Sequence, residues 1–441
     1  MKTACFALPA RLLAGATLLC AALAAAAADW PQYRGPHTDG TTAERIQLRW
    51  PETGPRRVWT VPTPGGFSGF AVAGDRAFTL VLREVEGVKR EVCVALDAST
   101  GRELWGAPVA MAKYDGGGDS GAPDNKGGDG PRSTPAVDGD RVYVLAANLV
   151  LHCLARNDGR TLWTRDLVKD HAAQNITWQN AASPLIDGDL IFICAGGAGQ
   201  SLLGLDKVTG QTVWKGESDR MTHATPVAAT LHGQRQIIFL TQKGLVAVAP
   251  TNGQVLWRHS VPYRTSTAAS PVVGGDIVYC SAGYGVGATA VRVSRSGDRF
   301  TAAELWRRPN ELMNHWSTPV YHEGHIYGLF GFKEYGQVPL GCIELATGRQ
   351  LWSQRGFGQG GTILVGRHVV ALAENGDLVV VEATPRAYTE VSRTKAVAGK
   401  CWNNPAVSNG RLFARSTKEA VCLDVSVATT GGHQGGTMPP E

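Results

Sequence analysis

Apolar and polar positions along this chain follow a pattern that repeats. From Ser133 to Leu167 it reads "STPAVDGDRVYVLAANLVLHCLARNDGRTLWTRDL", and from Ala182 to Glu217 "ASPLIDGDLIFICAGGAGQSLLGLDKVTGQTVWKGE". Later copies begin near Thr225, Ser270, Thr318 and Thr362, at a spacing of roughly 45 residues that suits one small sheet per copy. Each copy divides into four short apolar runs separated by polar turns. Runs this short, rich in β-branched and aromatic residues, predict strands A to D of a four-stranded unit.

A proline, usually after Thr or Ser, opens strand A: Pro135, Pro184, Pro226, Pro271, Pro319 and Pro405. Proline lacks a ladder donor, so the first residue of a strand is where it is tolerated. A glycine turn joins A to B at Gly74, Gly139, Gly188, Gly233, Gly275, Gly324, Gly366 and Gly410, several of them Asp-Gly or Asn-Gly. These eight turns set the expected number of units. Strand C ends in a second turn, such as Asp97 to Gly101 or Asp206 to Gly210, and tryptophan follows four residues after its glycine. Trp105, Trp163, Trp214, Trp257 and Trp352 stand there, and Trp306 after a longer turn. A large flat side chain at one fixed place per unit reads as docking between units, not as a ligand platform.

The last copy, Asn404 to Ser426, has no fourth strand, while "RRVWTV" with Trp59 stands before the first copy. The expectation is an all-β chain: a single eight-bladed β-propeller of four-stranded antiparallel blades over 56–426, closed by an N-terminal strand completing the last blade. Residues 29–55 would form an N-terminal extension and 427–441 a disordered tail. Two places break the pattern. The copy from Thr362 to Val397 lacks both proline and tryptophan, leaving its outer strand open. "AKYDGGGDSGAPDNKGGDGPR", Ala112 to Arg132, is a Gly/Asp insertion between the first two blades.

Composition narrows the class. The 441 residues are 43% hydrophobic and 18% charged, with 54 Gly and 12 Trp, as a turn-rich folded array requires. Lys2 and Arg11, the apolar Leu12–Leu23 stretch and Ala26-Ala27-Ala28 read as a cleaved secretory signal over 1–28, placing the protein in the periplasm or outside the cell. No later segment reads as a transmembrane span. Without Lys2 and Arg11, 41 basic residues face 38 acidic ones, a charge of +3 with no basic cluster, which does not suit nucleic acid. Cys93, Cys153, Cys342 and Cys422 occupy one matching repeat position, and Cys194 and Cys280 another. Equivalent positions on neighbouring blades lie beyond disulfide reach, so these read as buried small hydrophobes. A monomer is expected.

These residues resemble the pyrroloquinoline-quinone-like (PQQ-like) repeat family. Its "LDxxTGxxLW" motif is matched by Leu96-Asp97 through Leu104-Trp105 and by Leu205-Asp206 through Val213-Trp214. The resemblance runs from about Asp29 to Ser426, and the opening "DWPQYRGPHTDG" is similar to that of many exported members. It implies one of two roles, since the fold hosts both quinoprotein dehydrogenases and BamB-like outer-membrane assembly factors that bind protein partners. The chain lacks the Cys-Cys pair of many such dehydrogenases, their long insertions and any Cys-x-x-Cys-His; it also has Leu19, not a small residue, before Cys20. The leading expectation is a non-catalytic scaffold that binds a protein or small ligand in the cell envelope, with no cofactor. One alternative is a quinoprotein oxidoreductase holding PQQ and Ca²⁺ near Arg132, Asn180, His315 and Trp402. Another is a carbohydrate-binding propeller stacking sugars on Trp178, Trp316 and Trp402.

Propellers bind where loops converge on the axis, and residues just before strand A should ring one mouth of the channel. These are Arg132, Trp178, Gln179, Asn180, His223, Arg264, His315, Trp316, Gln359, Trp402 and Asn403. His223 and His315 invite a metal or general-base role, yet they stand on different blades without local carboxylate partners. Asp115, Asp119, Asp124 and Asp129 have oxygen ligands for Ca²⁺ but not EF-hand spacing. No Gly-x-Ser-x-Gly nucleophile elbow occurs, and no catalytic or metal residue is assigned.

Overall fold

A computed structural model describes residues 29–112, 130–332 and 338–427. Among them, eight four-stranded antiparallel sheets follow one another around a ring, one of them carrying a short fifth strand. Blade 1 runs through Ala71–Ala73, Arg76–Val85, Val88–Asp97 and Glu103–Met111. Blades 2 to 7 begin with inner strands Ala136–Asp138, Leu185–Asp187, Val227–Leu231, Val272–Gly274, Val320–His322 and Gly361–Val365. Blade 8 joins Ala406–Ser408, Arg411–Arg415 and Glu419–Asp424 to the N-terminal strand Arg56–Pro62. Arg56 pairs with Asp424 and Pro62 with Glu419, so the two ends of the ring share one sheet. No described helix is long and apolar enough to cross a membrane.

The repeated Thr and Ser before the prolines bond from blade to blade. The backbone N–H of Gly69 donates to Thr134 Oγ1 at 3.0 Å, that of Thr134 to Ser183 Oγ at 2.9 Å, that of Ser183 to Thr225 Oγ1 at 2.9 Å, and that of Ser270 to Thr318 Oγ1 at 2.9 Å. Each hydroxyl thus satisfies an inner-rim donor that no strand partner reaches.

At the outer rim, tryptophan indoles reach the next blade. Trp59 donates to Ala98 O, Trp105 to Arg156 O, Trp163 to Val208 O, Trp214 to Pro250 O, Trp306 to Leu345 O and Trp352 to Thr384 O, at 2.7–3.0 Å. The "TG" of the turn has a physical cause here. Gly159 has φ +73°, and a Cβ on it would lie 2.6 Å from the Trp105 ring. Trp257 differs, donating to Gln236 Oε1 within its own blade. Blade 5 replaces the short closing turn with the long hairpin Gly287–Ser296 and Arg299–Arg308, so no turn carbonyl stands at the usual place.

Blade 7, whose outer strand the sequence left open, has one at Glu390–Lys395. Ser392 stands at the register position that tryptophan holds elsewhere, and its Oγ accepts from Trp50 N at 2.9 Å. Trp50 belongs to the N-terminal extension and packs on the same core as Trp59. The Trp50 indole donates to Gln47 O at 2.8 Å, so the position is covered from the extension without an indole bond to the next blade.

The extension does more than that. Trp30 exchanges both backbone bonds with Val72 of blade 1, and Pro31 O accepts from Val137 of blade 2. The Gln32 amide bonds both backbone groups of Ile186 in blade 3, and Thr38 Oγ1 accepts from Ala228 in blade 4. Arg34 donates to Thr318 O and Pro319 O of blade 6, and Thr41–Thr42 pair in parallel with Leu364 and Val365 of blade 7. A segment bonded to the inner edges of six blades can only lie on the axis. It enters beside the A–B turns, where Asp29 Oδ1 accepts from Gly74 N, and closes the channel at that end.

The seven cysteines among the described residues are all buried and unpaired. The expected signal (1–28), most of the Gly/Asp insertion with its four aspartates, and the tail beyond Val427 lie outside the described residues.

Candidate functional site: the axial mouth

Strand A leads away from the mouth, B returns and C leads away again. The D–A connections and the B–C turns therefore open on one face, and the plugged A–B turns lie on the other. The expected mouth residues occupy the D–A connections and fall into two groups.

The first group spans blades 5 to 8 and reaches blade 1. Trp316 and Trp402 pack with ring centroids 4.5 Å apart, and Trp402 stacks on Phe67 of blade 1 at 4.6 Å. His315 touches Trp316, Phe332 and Tyr284 at 4.5, 4.8 and 5.1 Å. Blade 7, between the two tryptophans, contributes the glycine-rich Gly358-Gln359-Gly360-Gly361. Gly358 has φ +70°, and a Cβ there would fall 2.4 Å from Glu374 Oε2. Its absence lets the Glu374 carboxylate accept from Trp402 Nε1 at 2.8 Å and from Gln359 N at 3.2 Å. The Lys400 ammonium lies 4.4 Å from the Trp402 ring centre. Asn403 donates to Ser68 O at 3.3 Å, and exposed Arg264 reaches Tyr284 O at 3.5 Å.

The second group lies on blades 2 to 5. Arg132 donates to Trp178 O at 3.2 Å, and the Trp178 ring lies 6.4 Å from that of His223. Trp178 and Gln179 both have positive φ, a conformation that ordinary residues keep only when their surroundings impose it. Asn175 does so in part, donating to Gln179 Oε1 and Ala147 O. His223 Nε2 lies 3.0 Å from Thr177 O, so it carries the proton and donates; Nδ1 then accepts from Ser266 Oγ at 2.8 Å. Burial, with the nearby Arg132 charge, pushes the imidazole down to about 4 and keeps it neutral. Asn180 bonds its own turn, donating to Ala182 O and accepting from Ala182 N.

The four residues of the quinone alternative therefore divide: Arg132 and Asn180 stand with the second group, His315 and Trp402 with the first. Bound Ca²⁺ needs six or more oxygen ligands. The Asn180 oxygen already accepts from a backbone N–H, and both Glu374 oxygens accept from an indole and an amide. These residues do not fit a Ca²⁺-held quinone. Among the described residues no group of three or more His, Cys, Asp or Glu side chains is placed to hold a metal ion. The tryptophans of the carbohydrate alternative are divided too, with Trp316 and Trp402 covering one another and Trp178 beside His223.

Three buried side-chain atoms of the first group have no partner in the protein: Trp316 Nε1, Gln359 Nε2 and Asn403 Oδ1. Phe67, Tyr284, Phe332 and Glu374 were not anticipated from sequence. Tyr284 and Phe332 follow strand B, so the rule that B–C turns return to the mouth was the available signal. Phe67 was missed because blade 1 has no opening proline to mark it. A cavity of about 660 Å³ on the plugged face, lined by Asp187, Asp189, Arg235, Pro250 and Arg295 among others, has its acids paired with Arg235 and Lys207.

Comparison with known proteins adds the lineage. A family described as outer membrane protein assembly factor BamB matches residues 88–328. No curated protein sequence matches the chain. The solved BamB of Moraxella catarrhalis is 16% identical, with a TM-score of 0.58 over 86% of this chain and 99% of that one. The quinohemoprotein alcohol dehydrogenase of Comamonas testosteroni is 12% identical, with a TM-score of 0.61 over 93% of this chain and 82% of that one. The quinohemoprotein alcohol dehydrogenase ADHIIG of Pseudomonas putida HK5, also 12% identical with a TM-score of 0.61, covers 94% and 82%. At these identities the structural likeness speaks for the fold alone.

Proposed function

We propose, from the premise that this chain belongs to the family described as outer membrane protein assembly factor BamB, that it is an exported, non-catalytic scaffold whose mouth binds a partner in the cell envelope. The observation that carries the reading is the division of labour along the axis. One end is held by the chain's own strap, bonded to six blades, and at the other the D–A connections and B–C turns bring their side chains together. Those side chains include aromatic rings and buried polar atoms without partners, the combination that ligand sites use for area and for orientation. The test is co-purification of the tagged full chain from envelope extracts. A specific partner recovered by the native chain supports the reading; recovery of none overturns it.

A further inference from the structure

Resting on that reading, we propose that the blade 6–8 sector of the mouth binds the main chain of an extended polypeptide, through Trp316, Gln359 and Asn403. Gln359 is 1% exposed and Asn403 7% exposed, and each carries a buried polar atom with no partner in the protein. Trp316 Nε1 is buried and unpartnered as well. Each unmet group is a cost that a ligand reaching it, as these side chains turn outward, would remove.

Their chemistry defines that ligand. Trp316 Nε1 and Gln359 Nε2 are donors, and Asn403 Oδ1 is an acceptor. A peptide group, with one carbonyl to accept and one N–H to donate, complements this set along a single strand of chain. An anion fits poorly, because the Glu374 carboxylate stands inside the cluster, held by Trp402 Nε1 and Gln359 N. A sugar ring would need a free indole face, and Trp402 is flanked by Phe67 at 4.6 Å and Trp316 at 4.5 Å. Extended peptides are bound elsewhere through main-chain hydrogen bonds, which supply affinity, and in aromatic-lined grooves.

Short random peptides displayed on phage are selected on the full chain, and a selected peptide is then labelled for fluorescence anisotropy. Replacing one contacted amide of the peptide by an ester removes its N–H, and is expected to weaken binding about tenfold without touching the protein. Gln359→Leu and Asn403→Leu are each expected to weaken it by a similar factor while circular dichroism stays native. A peptide that binds equally to both variants, and equally as amide or ester, overturns the inference while the scaffold reading stands. Cellohexaose or chitohexaose binding that is lost in Gln359→Leu, with no peptide selected, also overturns it and assigns the sector to glycans. Failure of both selection and co-purification removes the two readings together.

Discussion

The strap and the mouth of the axis are built on different terms. At the plugged end the side chains of Gln32, Arg34 and Thr38 each reach blade backbone across the ring, and the strap seals the channel. At the mouth, Trp316, Gln359 and Asn403 keep buried atoms without partners among stacked aromatic rings. Arg34 leaves only its Nε unmet while its two terminal nitrogens bond three carbonyls, so the strap commits its polar groups to the blades and the mouth does not.

The largest effect should come from the plug. Arg34 is fully buried, its guanidinium held by carbonyls and no carboxylate, and burial lowers its proton affinity. Arg34→Leu strands the Thr318, Pro319 and Asp39 carbonyls, and should lower unfolding free energy by about 3 kcal/mol in urea titration. A loss under about 1 kcal/mol would mean that the strap is decoration.

Acid should act next, through the mouth. His223 titrates near 4 in the folded chain and near 6.5 when unfolded, so below 6.5 the unfolded state takes up the proton first. Stability contributed by the neutral ring is complete above pH 6.5 and is lost as pH falls toward 4, by about 3 kcal/mol at most. His223→Gln should flatten that slope, leaving the parts due to His152, which burial also lowers to about 4, and to His171, His322 and His368, which burial lowers as well. An unchanged slope would show that the His223–Ser266 bond does not hold the mouth.

Gln359→Leu should be nearly neutral for stability, within about 1 kcal/mol, because it removes a donor that has no partner. The same kind of change in the strap and in the mouth thus gives different outcomes, and equal losses would erase the distinction. The smallest effect is expected from thiol reagents. Burial raises the thiols, with Cys153 and Cys342 up to about 11 and Cys194, Cys280, Cys401 and Cys422 up to about 12. Native protein at neutral pH should resist alkylation at these positions, and rapid labelling would reveal opening of the blades.

Much of the architecture was legible because it is written locally and eight times over. Each Asp-Gly or Asn-Gly turn states its own geometry, and the absent fourth strand after Asp424 pointed to the "RRVWTV" segment that pairs there. The site was legible only in part. Residues before each proline were readable from the repeat, whereas Tyr284 and Phe332 reach the same place from B–C turns that carry no shared motif.

What the sequence by itself determined is the repeating unit and the number of blades, because tight turns and the ladders they join depend on residues close together in the chain; the closing strand was legible only because the last copy lacks its fourth strand. Tertiary structure alone decided that Asp29–Thr42 crosses the ring as a plug, that Trp50 covers the outer strand of blade 7, and which mouth residues meet. Those contacts join segments hundreds of residues apart, such as Trp50 with Ser392 and Arg34 with Thr318. They exist only once a closed ring has brought its inner edges around one axis.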